Sequence, residues 1–329
     1  MKQLAAQMRA EEYKDLSEEE IRERERQKEM RRKKNIEALD DTLNILKKGY
    51  YEKAGEKIKL QFSSEQMCEA KVFLPNDIES LRTKNSSSSE SIETQAQDTH
   101  CAFSCKNSDA LVLAQQKYRD LEAYGERPPK ILVLNLASAS QAGGQTRKGA
   151  SAQEEDLCRR TSLLLSLESD NASKYYDYNN ALKSRMGSNS IILSPYVEVV
   201  KDFSLKSLFQ PFQISVMSCA APMVRLGLEG MSKQQYEDML YNRILGMLTV
   251  AASQNYRHLI LGAFGCGIYG NDAATVSDLF DNAIRSFNYR EKSSDRLFYS
   301  IDFAVLYPPD KNYNYREFFR NFSSQDKRI

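Results

Sequence analysis

The chain has 329 residues, and 46 Lys and Arg against 45 Asp and Glu leave a net charge of +1. That balance gives no global pull toward nucleic acid or an anionic membrane. With 41% apolar residues the chain can bury a real core, which excludes a wholly disordered chain, a collagen and a membrane bundle. No apolar run approaches the roughly 18 residues of a membrane span. Acidic residues in the first fifteen positions do not fit a signal peptide, so the expected location is intracellular, cytoplasmic or nuclear. The six Cys frame no disulfide scaffold and suggest free thiols in a reducing compartment. His100, Cys101 and Cys105 hint at zinc, but the chain has two His and no second ligand pair, so no metal is expected. A strand end with two small buried thiols is the simpler reading.

Residues 1–34 hold 11 basic and 9 acidic residues and few large apolar ones, which predicts a charged, solvated helix or a tail. Within it, Arg31-Arg32-Lys33-Lys34 is either a nuclear signal, a phosphate patch or simply a solvated face. From Asn35, Ile36, Leu39, Leu43 and Leu46 recur at helical spacing, and Gly49 after Lys47-Lys48 is a helix stop. Residues 70–74 suggest a short strand, 84–99 a mobile Ser-rich loop, and 108–122 a helix capped at Asn107-Ser108-Asp109. After Pro128-Pro129 the pattern changes. Apolar runs at 131–137, 197–202, 213–219, 258–264 and 298–307 alternate with helical stretches near 153–167, 231–253 and 273–288. This predicts an α/β fold of three layers around a buried, mixed sheet. Residues 170–190 are polar and aromatic and are expected to form a long insertion loop. The organisation expected is therefore 1–34, a helical region with accessory strands over 35–125, an α/β core over 126–310, and a tail over 311–329.

Two motifs carry chemistry. The first follows the strand at 131–137: Gly143-Gly144, then Gln153-Glu154-Glu155 at the start of a helix. A strand running into a Gly pair and a helix brings backbone N–H groups to a phosphate or ribose. The two carboxylates are about 100° apart on the helix, so they are not expected to face one substrate atom together. One can act while the other holds a hydroxyl. The alternative is that acidic residues merely favour helix N-termini. The second motif is Gly262 to Asp272, which contains Gly265-x-Gly267-x-x-Gly270. A dinucleotide-binding fingerprint fails on context, because only 59 residues and one clear strand follow. A Gly loop wrapping a diphosphate needs no such sheet. His258 is expected to be a satisfied core residue, and no Cys–His pair can be built with Cys266.

The segments LNLASASQAGGQTRKGASAQEEDLCRRTSLL (134–164) and LGAFGCGIYGNDAATVSDLF (261–280) resemble the microbial-type poly(ADP-ribose) glycohydrolases, which are macrodomain proteins. The resemblance extends over 38–60, 175–202 and 214–222, and covers about 35–307. It implies a macrodomain over 126–310 that binds ADP-ribose between two loops. It assigns Glu155 as the catalytic acid, with Glu154 fixing the ribose or leaving hydroxyl. It places Asn135 on a ribose, Gly143 and Gly144 by the distal ribose and diphosphate, Gly265, Cys266 and Gly267 around the diphosphate and Tyr269 beside the distal ribose, and it counts Gln153 and Ile268 among the ADP-ribose-binding residues. The implied reaction is hydrolysis of ribose–ribose O-glycosidic bonds, without metal or redox cofactor. The implied partners are ADP-ribose or poly(ADP-ribose) on modified proteins, with no membrane and no direct nucleic-acid contact; the oligomeric state is left open.

One departure stands out. Where the family carries Asn-Pro-Gly-Gly-Gly, this chain has Gln141-Ala142-Gly143-Gly144-Gln145. If position 145 needs a left-handed backbone, Gln strains and shifts the loop. A non-hydrolytic ADP-ribose reader is the alternative to an enzyme, and mono-ADP-ribose the alternative to polymer as substrate.

Overall fold

A computed structural model of the chain describes residues 13–87, 101–290, 297–307 and 312–323. It opens with one long helix, α1 (Glu18–Lys48), nucleated by a capping box in which the Ser17 side chain and Glu20 satisfy each other's backbone N–H. Short-range pairs such as Arg22–Glu18 at 3.3 Å and Arg26–Glu23 at 3.0 Å line its exposed first half. Its buried residues are Asn35, Leu39, Thr42, Ile45 and Leu46. The change of pattern at 34/35 is therefore a change of burial along one helix and not a boundary. The basic run Arg31–Lys34 is exposed on it.

A hairpin follows, β1 (Tyr50–Lys53) and β2 (Glu56–Lys59), then α2 (Ser64–Met67), β3 (Lys71–Phe73) and α3 (Pro75–Ser87). Residues 84–87, expected in the Ser-rich loop, continue α3. The remainder of that stretch and His100 lie outside the described residues. Next come β4 (Ala102–Lys106), α4 (Ala110–Ala123), β5 (Ile131–Leu136), α5 (Gln153–Arg160) and α6 (Leu163–Leu167). The expected insertion loop at 170–190 is corrected: α7 (Asp170–Ala181) occupies most of it, capped by Ser169. Then follow β6 (Ile191–Lys201), β7 (Ser207–Cys219), α8 (Lys233–Ser253), β8 (His258–Leu261), α9 (Ala273–Arg290), β9 (Ser300–Ala304) and α10 (Tyr313–Phe322).

Seven strands form one mixed sheet in the order β3-β6-β7-β5-β8-β9-β4. From β7 to β4 all neighbours are parallel, whereas β6 is antiparallel to both β7 and β3. β5 is central and its side chains alternate: Leu132 and Leu134 pack with α8 and α9 residues, Ile131 and Val133 with α4, α5 and α6 residues. The expected three-layer α/β/α architecture is what the chain adopts.

Two of the expected divisions do not match this architecture. β3 and β4, placed in an accessory region, are the two edges of the same sheet. The expected tail at 311–329 contains α10, whose Phe318 and Phe322 are buried; Phe322 stacks on Phe303 of β9 at 4.1 Å between centroids. No helix among the described residues is long and apolar enough to cross a membrane.

Candidate active site

The chemistry-bearing loops gather where the parallel strands end, the customary ligand-binding edge of an open α/β sheet. β5 runs into 137–152, β7 into 220–230 and β8 into 262–272.

Asn135 is fully buried in β5, opposite Ser218 of β7. Its Nδ2 donates to Ser218 Oγ at 2.9 Å and to Glu154 Oε1 at 3.3 Å. Its Oδ1 has no hydrogen-bond partner among the described residues. Gln153, the first residue of α5, clamps the helix to the strand end. It accepts from Leu136 N and donates to Leu134 O, both at 2.8 Å. Its amide thus faces β5, whereas the resemblance counted Gln153 among the ADP-ribose-binding residues.

Glu154 and Glu155 are 3% and 7% exposed. Glu154 Oε2 accepts the Ser138 N–H at 2.8 Å, and Glu155 Oε1 accepts the Gln145 N–H at 2.9 Å. Despite their 100° separation on the helix, the two side chains converge on Gly144. A Cβ there would lie 2.6 Å from Glu155 Oε1 and 3.0 Å from Glu154 Oε2, and the residue sits at φ +57°. Only glycine fits both the space and the backbone. The expectation that the carboxylates point apart is corrected: their stems diverge, but their ends meet. Glu155 Oε2 is buried without a partner among the described residues.

Burial, reinforced by the neighbouring Glu155 charge and opposed by the Ser138 hydrogen bond, pushes Glu154 up to about 8. The folded protein therefore holds this proton more tightly than the unfolded chain. The associated stabilisation is complete below the ordinary value of 4.5 and is lost as pH rises through about 8. Glu154→Gln, uncharged at every pH but unable to accept at its amide nitrogen, should melt below wild type near pH 5 and gain on it by several degrees near pH 8.5. Equal offsets at the two pH values would remove the buried-proton account.

Gln145 sits at φ −105°, an ordinary conformation for an L-residue, so position 145 does not need a left-handed backbone. Its side-chain Nε2 donates to Gln141 Oε1 at 2.8 Å, an amide clasp across the Gly143-Gly144 turn.

The second loop is tied down at Asn271. Asn271 Nδ2 donates to Pro222 O at 2.8 Å and Gly265 O at 2.9 Å, while its Oδ1 accepts from Tyr236 OH at 2.8 Å. The Tyr269 carbonyl accepts from Val224 N and Arg225 N. Burial pushes the Tyr269 phenol up to about 12, with the Glu154 and Glu155 charges adding to it. Gly267 has open space around it and Ile268 is exposed, so these two form the outer lip; Cys266 is half-buried, and burial pushes its thiol up. His258 is bonded through Nδ1 to Ser300 Oγ at 3.0 Å, at the first residue of β8 and so away from the Gly loop that follows this strand. No cluster of three potential metal ligands occurs among the described residues.

Several contributors escaped the sequence reading: Ser138, Ser218, Asn271, and Arg243 on α8. Fully buried Arg243 donates to Met186 O and Ala220 O at 2.9 and 2.7 Å and so supports the loop after β7. A buried Arg without a nearby carboxylate in the sequence has no local signature.

Residues 39–202 match the family model for the microbial-type poly(ADP-ribose) glycohydrolase (PARG) catalytic domain. No curated protein sequence matches the chain. Among solved structures, the poly(ADP-ribose) glycohydrolase of Thermomonospora curvata bound to the inhibitor ADP-HPD is 24% identical, with a TM-score of 0.73 over 88% of this chain and 99% of that one. The enzyme of Deinococcus radiodurans in complex with ADP-ribose is 27% identical, with a TM-score of 0.66 over 80% and 98%. The family match and the shared fold together show that the chain belongs to the microbial-type poly(ADP-ribose) glycohydrolases.

Proposed function

We propose that the protein hydrolyses the ribose–ribose O-glycosidic bonds of poly(ADP-ribose), with the terminal ADP-ribose held between loops 137–152 and 262–272. The observation that carries this reading is the pair of buried carboxylates meeting at Gly144, with Glu155 Oε2 free of hydrogen bonds among the described residues.

Glu155 is the general acid. Glu155 Oε2 gives its proton to the departing ribose oxygen as the C1–O bond breaks. The ionised Glu155 then takes a proton from the attacking water, whose oxygen bonds to C1, and the acid is restored. The positive charge developing on the ribose is stabilised by the diphosphate and by ionised Glu155. Glu154, fixed by Ser138 and Asn135, accepts or donates at a ribose hydroxyl. Gly143, Gly144 and Gly265, each at positive φ with no room for a Cβ, let the two loops turn tightly beside the ligand, and Tyr269 packs on the distal ribose.

Purified protein incubated with poly(ADP-ribose) should release free ADP-ribose. Tight binding of ADP-ribose without release from polymer or from mono-ADP-ribosylated protein would replace this reading by that of a reader.

The same assay addresses position 145. Since Gln145 is unstrained and clasps Gln141, Gln145→Gly should lower turnover a few-fold by loosening the turn. A rise in polymer hydrolysis would show instead that the Gln side chain obstructs the substrate.

A further inference from the structure

The loop that positions Glu155 is held by the long helix α1, far from it in sequence. Asn35 is 6% exposed and lies 114 residues from its partners. Its Nδ2 donates to Gly149 O at 3.0 Å and Ser151 Oγ at 3.1 Å, with Ala150 O at 3.4 Å. The approach is close enough to demand a glycine at 149. A Cβ there would lie 2.4 Å from Arg32 O of α1, and the residue is at φ +71°.

Two further bonds make the contact a frame. Arg159 Nη1, from the end of α5, donates to Ala150 O at 2.7 Å, and Thr42 Oγ1 of α1 donates to Arg159 O at 2.6 Å. From Ala150 the path to the carboxylate is short. Ala150 N donates to Gln145 O at 3.3 Å, and Gln145 N donates to Glu155 Oε1 at 2.9 Å. Asn35 thus stands two backbone hydrogen bonds from the carboxylate.

We infer that Asn35 is a positioning residue: by holding 149–151 against α1 it fixes the Gln145 N–H, and with it the rotamer of Glu155. This rests on the proposed role of Glu155. The Asn amide suits the task because two of the three groups facing its nitrogen are carbonyl oxygens, which a carboxylate would repel. A displacement of about 1 Å at a reacting group costs on the order of 10²-fold in rate, so a loosened frame is read in turnover before binding.

The test is Asn35→Asp, the same shape without the donor, beside Asn35→Ala in case a buried charge prevents folding. With poly(ADP-ribose), kcat should fall about 10- to 100-fold while KM stays within about three-fold. The kcat of Asn35→Asp relative to wild type should recover as pH falls, because a protonated carboxyl again donates one hydrogen bond. Amide hydrogen exchange over 145–152 should accelerate in both variants, with the sheet unchanged. Unchanged kcat, a loss confined to KM, or unaltered exchange in the loop would each overturn the inference. If wild type itself released no ADP-ribose, the glycohydrolase reading would fall, while the exchange comparison would still decide whether Asn35 holds the loop.

Discussion

Glu155→Gln should lower kcat on poly(ADP-ribose) by roughly 10² to 10⁴-fold and leave ADP-ribose binding within several-fold of wild type. Gln keeps the volume of the side chain and retains an oxygen for the Gln145 N–H, so the loop stays in place. What disappears is a proton that can reach the leaving oxygen. Because Glu155 Oε2 has no competing partner among the described residues, no neighbouring bond is broken that would spread the effect into folding. Full turnover by this variant would falsify the acid assignment. Glu154→Gln should behave differently. Glu154 accepts from Ser138 and Asn135, so its replacement disturbs the ribose floor and puts a larger share of the loss into binding.

Much of the architecture is legible in the residues because burial on both faces leaves an apolar run that nothing else explains. β5, β8 and β9 are visible for that reason, and Asp109, which caps α4 through two backbone N–H groups, is visible as a cap. α7 is not. Its buried face is Ala172, Tyr175, Tyr176 and Asn179, which has helical spacing but no large aliphatic residue, so polarity hides the period. β6 extends back to Ile191 through Pro195, where the pairing with β7 shifts register between Ser194 and Val197. A proline at such an irregularity is tolerated, yet in sequence it looks like a stop. Within the site, the Gly pair and the Gln-Glu-Glu triplet are local and can be found by inspection. The meeting of the two carboxylates at Gly144, and the reach of Asn35 across the chain, depend on side-chain rotamers and on tertiary contacts. Neither leaves a trace in spacing.

The distinction between the two halves of α1 yields the other large effect. Removing residues 1–34 should lower the melting temperature by only a few degrees, whereas removing residues 1–50 should abolish cooperative folding. Among the described residues, everything α1 buries lies from Asn35 onward. Leu39, Ile45 and Leu46 are 1%, 5% and 2% exposed, and each such side chain contributes about 1.5–3 kcal/mol on burial. The longer deletion also strips Lys201. That side chain is 1% exposed, and its ammonium meets Asp41 Oδ2 and the Ala38 carbonyl, both at 2.7 Å. Burial holds it below the usual lysine range, and the Asp41 charge works in the opposite direction. Without α1 the cation would be left with neither partner, a loss that commonly reaches 3–5 kcal/mol. Together these terms rival the roughly 5–15 kcal/mol by which a domain is stable. Thermal melts of the two truncations give the comparison, and equal melting points would show that α1 is not integral. The shorter deletion carries a second consequence. It leaves Asn35 in the fraying first turn of a new helix and takes away the Arg32 backbone that backs Gly149. A protein of nearly unchanged melting temperature should therefore turn over poly(ADP-ribose) more slowly, because the stability of the fold and the alignment of Glu155 depend on different stretches of the same helix.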